Sequence, residues 1–187
     1  MKKILPFIAI LIMLSSYTNA QESHIEKSYY SIQTGFLGVW VNNESKIGDK
    51  FALRSEIGFD SGIWGGSYYD KTGFIMTPVI TVEPRLYYNL DKRKQQNKNI
   101  KRNAGNFLSV KTSYHPDWFT ISNTNNLNVI SDISIIPTWG IKRNIGFSNF
   151  NYEIGIGAGY QYIFSNSNRP AKSDIMYNLN LRIGYSF

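Results

Sequence analysis

The last thirteen residues, Ile175 to Phe187, alternate almost without fault and end on an aromatic. One parity reads Ile175, Tyr177, Leu179, Leu181, Ile183, Tyr185, Phe187; the other reads Met176, Asn178, Asn180, Arg182, Gly184, Ser186. A period of two places these sets on opposite faces of an extended strand. One face is therefore greasy up to the terminal carboxylate, although chain ends usually fray into water. A fold that accommodates this has to pair the last strand along its length and give its apolar face something other than water.

The pattern recurs upstream, between turn-rich stretches, and no amphipathic helical period competes with it. Phe150 to Phe164 sets Phe150, Tyr152, Ile154, Ile156, Ala158, Tyr160, Tyr162 and Phe164 against Asn151, Glu153, three glycines, Gln161 and Ile163. Asp132 to Lys142, Phe74 to Leu90, Phe51 to Phe59 and Asn106 to His115 follow the same logic. Tyr29 to Val41 reads as one further strand of mixed phase whose faces cannot be assigned. Pro78, Pro84 and Pro137 fall inside these segments and each removes a ladder donor. Seven strands are visible.

Residues 1–20 read as an export signal: Lys2 and Lys3, an apolar run of eleven residues from Ile4 to Leu14, then Thr18-Asn19-Ala20 before Gln21. That run is too short to span a bilayer, and nothing later approaches the roughly 20 apolar residues a transmembrane helix needs. The expected mature domain is 21–187, and losing two lysines takes the formal charge from +7 to +5. There is no cysteine, hence no disulfide framework, thiolate metal site or lipid anchor on cysteine.

The tail, with Tyr177, Leu179, Leu181, Ile183, Tyr185 and Phe187 on one face, resembles the C-terminal insertion signal of Gram-negative outer-membrane β-barrel proteins. The mature chain as a whole resembles the small members of that group, many of them without an assigned activity. The resemblance implies an all-β fold, a transmembrane antiparallel up-and-down β-barrel of eight strands, monomeric in the outer membrane. Its implied partners are outer-membrane lipids and the assembly machinery that reads the terminal aromatic. Such barrels have an even strand count, so an eighth strand is expected upstream of or within Ser23 to Val41. By strand parity, Asp60–Gly73, Asp117–Ile130 and Phe164–Ser173 then lie outside the cell, with Asn42–Asp49, Asp91–Gly105 and Arg143–Asn149 on the periplasmic side.

Three details favour lipid on the apolar face. The polar parity carries Gly, Ser, Thr and Asn in place of surface Lys and Glu. Tyr and Trp gather near strand ends, as at membrane interfaces. The polar parity also holds Arg54, Arg85, Lys111, Lys142 and Arg182 against Glu56, Glu83, Asp132, Glu153 and Asp174, a balanced set of ten. Enclosed charges are costly unless matched, so these are expected to form a cross-strand network that plugs the narrow lumen of an eight-stranded barrel.

Catalytic signals are sparse. His24 follows the leader, and His115 shares a strand face with Ser113 and Lys111 close to Asp117. Ser with His two residues away offers a nucleophile and base, but no orienting carboxylate is identifiable. No metal-ligand spacing or phosphate loop occurs, and no cofactor is expected. The basic stretch 91–105 reads as a solvated, mobile turn, and export argues against nucleic acid. Asp60 to Tyr69 (glycine-rich and aromatic) and Thr120 to Asn128 (Asn-rich) are the loops that suit recognition. The expectation is a non-enzymatic barrel serving envelope structure, surface interaction or small-solute passage. The alternatives are a lipid-modifying acyl hydrolase or transferase using Ser113 and His115, or a soluble exported barrel holding a hydrophobic ligand.

Overall fold

The mixed phase of Tyr29 to Val41 has a simple cause: the segment is two strands. β1 (Ser28–Gly35) buries Tyr29, Ser31 and Gln33, while β2 (Gly38–Lys46) buries Trp40, Asn42 and Glu44. The reversal between them flips the parity. Gly38 makes it possible, with φ at 148° and a position where a Cβ would sit 2.0 Å from the Phe59 carbonyl oxygen. This hairpin supplies the strand that the sequence reading lacked.

The computed structural model describes residues 24–36, 38–64, 72–124, 129–166 and 169–187; the proposed leader, residues 1–20, lies outside them. After β2 come β3 (Phe51–Trp64), β4 (Gly73–Tyr87), a short helix α1 (Leu90–Gln95), a 3-10 turn (Lys101–Asn103), β5 (Asn106–His115), β6 (Ile121–Ser122), β7 (Asp132–Asn144), β8 (Phe150–Ile163) and β9 (Lys172–Ser186). All pair antiparallel in the order β3-β2-β1-β9-β8-β7-β5-β4, and β3 also pairs with β4, so eight strands close a ring. The two-residue β6 attaches to β4 at Ile75 and Met76, beyond the point where β5 stops.

Closure joins the first strand to the last. β1 pairs with β9 from Ser31↔Ser186 to Gly35↔Arg182, and the Phe187 amide donates to the Tyr30 carbonyl at 2.9 Å. The prolines sit within this ring and interrupt its ladders locally. β4 and β5 pair on either side of Glu83–Pro84 but not across it, and β7 and β8 skip Ile136–Pro137. A missing N–H explains both gaps.

The hairpin lengths differ around the ring. β3 reaches Trp64 and β9 starts at Lys172, yet the β1–β2 hairpin between them turns at Phe36. Above that turn, β9 from Lys172 to Leu181 has ladder partners only in β8, and β3 from Ser61 to Trp64 only in β4. The wall is notched there.

The apolar parity faces outward. Ile156, Tyr160, Tyr177, Leu179 and Ile183 are 57–78% exposed, whereas Arg54, Arg85, Lys142 and Glu153 are at most 1% exposed. Burial and polarity are thus inverted relative to a water-soluble sandwich.

The basic stretch 91–105 corrects the expectation of a mobile turn. It folds back across one end of the ring as α1 and the 3-10 turn, with left-handed backbone at Asn97, Arg102 and Asn103. Leu90 packs with Ile25, Ala52, Tyr87 and Phe107 in an apolar cluster, and Ile100 lies against it. Gly140 leaves room for Phe107: a Cβ there would fall 2.3 Å from the ring. Arg102 donates to Asn149 at 2.7 Å and to the Phe187 carbonyl at 3.4 Å, which ties the cap to two strand ends. The lysines were legible as solvated; the apolar residues spaced among them, which anchor the segment, were not.

Candidate functional site: a charged lumen with one sealed end

Glu153, on the inner face of β8, is the hub of the interior. Its carboxylate accepts from Arg54 Nη1 (3.0 and 3.1 Å), from Arg85 Nη1 and Nη2 (3.0 and 2.8 Å) and from Asn180 Nδ2 (2.9 Å). Arg54 also donates to Glu56 at 2.7 Å and to Gln33, and Arg182 donates to the same Glu56 oxygen at 2.6 Å. Arg85 reaches Glu83 through Nε and Nη2 (3.0 and 2.7 Å), and Ser109 donates to the other Glu83 oxygen at 2.6 Å.

Towards the cap the network continues through Glu44. Tyr87 Oη donates to it at 2.8 Å and Asn103 Nδ2 at 2.6 Å, with Arg85 and Lys142 at 3.6 and 3.9 Å. Lys142 donates to Tyr29 Oη at 2.6 Å. Each cation is also held against an aromatic face or a second carboxylate: Arg182 lies 3.7 Å over Trp40 and Arg85 4.1 Å over Phe107. Four cations (Arg54, Arg85, Lys142, Arg182) thus meet four carboxylates (Glu44, Glu56, Glu83, Glu153). Such a set is tolerable in low dielectric because every charge has partners and the guanidinium forks fit carboxylates. Removing one member would strand the others.

Glu44 and Gln33 were missed from the sequence because the unseen β1–β2 turn hid their parity. The two glycines Gly35 and Gly38 flanking Phe36-Leu37 were the available signal.

At the far end the arrangement is looser. His115 Nδ1 lies 3.0 Å from Asp132 Oδ1 and Nε2 lies 3.1 Å from Asp60 Oδ2, while Trp40 Nε1 donates to Asp60 Oδ1 at 2.7 Å. A ring with a proton on both nitrogens donates to both carboxylates. Ser113 is hydrogen-bonded instead to Thr81 at 2.8 Å, so the sequence pair Ser113 and His115 is not assembled as nucleophile and base. Lys111 faces the same space but makes no hydrogen bond or ion pair with any described residue.

Of the ten charges read from the sequence, nine face the interior, and Asp132 there pairs with His115 instead of an arginine or lysine. Asp174 departs. Its side chain is 55% exposed and paired with Lys172 at 2.6 Å, because β9 at that point has run beyond the enclosed stretch of wall. Asp60 to Trp64, read as loop, continues β3, and residues 65–69 lie outside the described set. Within Thr120 to Asn128, Ile121–Ser122 forms β6, and Asn123 bonds the Phe74 amide and the Thr72 carbonyl at 2.9 and 3.0 Å; residues 125–128 are likewise outside it.

No family model, curated protein or solved structure matches this chain. Among the described residues, no group of three or more His, Asp or Glu side chains is arranged to hold a metal ion. His24 lies 3.6 Å from Asp91 at the capped end. Within the tail, Tyr177, Leu179, Leu181 and Ile183 face outward and exposed, and Tyr185 stacks edge-on between Phe150 (5.1 Å) and Phe187 (5.2 Å).

Proposed function

We propose that the chain is an integral outer-membrane β-barrel protein, its apolar parity against acyl chains and its lumen closed by the charge network and the cap. The observation that carries this reading is the inverted burial: exposed Ile, Leu and Tyr outside, and arginines and glutamates at most 5% exposed within. Soluble monomers rarely expose apolar patches beyond a few hundred Å².

Aromatic contacts at the two ends of β8 fit a bilayer. Phe150, Tyr185 and Phe187 cluster at one end, and Tyr162 and Phe164 meet at 5.2 Å at the other. The thirteen residues from Phe150 to Tyr162 span about 40 Å, or about 28 Å of height at a tilt of about 45°, close to the ~25 Å apolar band of such barrels. A filled lumen argues against general diffusion and for a role in envelope structure or surface interaction.

The test is cell fractionation with electrophoresis of heated and unheated samples. The expected outcome is recovery in the outer membrane with heat-modifiable migration, and labelling of cysteines along Phe150 to Phe164 that alternates with parity. Recovery as a detergent-free periplasmic protein would sink the proposal.

A further inference from the structure

The notch above the β1–β2 turn opens onto a cavity of about 100 Å³, where outer-face and lumen-face residues meet. Leu179, Leu181 and Phe36 border it from the wall; Lys111 reaches it from β5, on the opposite side of the ring. On the outer surface a shallow groove of about 450 Å³ runs from Thr34 to Ile154 and Ile183 and shares Phe36, Leu181 and Arg182 with the cavity. The inner cavity and the outer groove thus meet at one gap in the wall, bordered from both sides by Phe36, Leu181 and Arg182.

Several polar groups at the chamber lack a hydrogen-bond counterpart. Lys111 is attracted by Glu56, Asp60 and Glu83 without a hydrogen bond to any described residue, and neither Asn178 Nδ2 nor Arg182 Nε has an acceptor although both atoms are buried. Among the acceptors nearby, both oxygens of Asp60 are held by Trp40 and His115, and Glu56, whose Oε2 holds Arg182, keeps its buried Oε1 without a donor. Buried donors without acceptors call for a bound group that supplies them. Depth points the same way. Leu181 pairs with Ile154, only four residues along β8 from the aromatic cluster at Phe150, so in a bilayer the gap opens within the apolar band. Sheet edges bare to lipid do not occur there, so this one must line a wet or occupied space.

We infer that the notch is a lateral port that binds a single-chain amphiphile with an anionic head. Its carboxylate or phosphate is taken by Lys111 and Asn178, and its tail lies over Phe36 and Leu181 in the outer groove. This rests on the membrane reading above and adds to it a ligand class and a route from bilayer to lumen.

Trp40 lines the chamber and is 4% exposed, so it serves as reporter once Trp64, Trp118 and Trp139 are changed to Phe. The protein is reconstituted in phosphatidylcholine vesicles and titrated with 2-bromohexadecanoic acid, whose heavy atom sits beside the carboxylate. Saturable quenching of Trp40 is expected, with half-saturation raised at least about tenfold by Lys111→Ala and by the stem-preserving Lys111→Met. The matching bromo-alcohol should not saturate. Linear quenching that is the same in Lys111→Ala and its parent overturns the port. Full displacement by millimolar inorganic phosphate overturns the amphiphile, because the tail would then contribute nothing. In the unsubstituted chain, acyl-brominated phosphatidylcholine should quench outward Trp139 whether or not the port binds. Loss of that signal sinks the membrane reading, whereas its presence without saturation sinks the port alone.

Discussion

The two ends of the ring are built from the same alternating strands and are filled in different ways. Along β8 the inner residues Asn151, Glu153 and Gly155 are buried near the cap, whereas Gly157, Gly159 and Gln161 towards the far end are only half-buried. The capped half holds long charged side chains that span the lumen, closed over by the apolar cluster around Leu90 and Phe107. In the far half β8 carries Gly157 and Gly159 in place of long side chains, and the charges there, His115, Asp60, Asp132 and Lys111, stand close to an opening. Filling sets rigidity at one end and leaves chemistry available at the other.

The sharpest way to break this contrast is at its hub. Glu153→Ala leaves Arg54 and Arg85 without their shared carboxylate, and a loss of about 3–5 kcal/mol is expected in urea unfolding followed by tryptophan fluorescence. A loss below about 1 kcal/mol would mean that the lumen is wet and the ends do not differ. Next comes the cap. Leu90→Ala removes a side chain only 3% exposed from the cluster, with an expected cost of about 2 kcal/mol. That cost should be local, read as faster hydrogen exchange at the Ala104 amide and protease cleavage within residues 92–102 while the strands stay protected. Cleavage equal to the parent's would show that the cap is held by something else. The smallest effect belongs to Asp174→Asn, which should not move the urea midpoint at all, since its partner Lys172 is also solvated. A shift approaching that of Glu153→Ala would put Asp174 back inside.

Most strands were legible because a period of two is a local signal, and Phe150 to Phe164 and the tail carry it without interruption. The faces of β1 and β2 were not, because one unrecognised turn at Phe36 reverses parity and scrambles any pattern read across it. Seven of the eight charges in the network were legible as an inventory, with Glu44 missed and Lys111, Asp132 and Asp174 counted in, but none of it was legible as a geometry. Which carboxylate meets which guanidinium depends on ring order and stagger, and Glu153 meets Arg54 across 99 positions of sequence. The cap was the largest surprise. Lys92 to Arg102 advertises solvent, while its placement is decided by Leu90, Ile100 and Ala104, which are spaced too irregularly to announce themselves.

The Phe187 amide's bond to Tyr30 has a bearing on how the protein is made. β1 is synthesised long before β9, so the wall stays unfinished until β9 has joined both of its neighbours. A chain that stopped before Arg182 would keep two raw margins, each able to seize a stranger's strand.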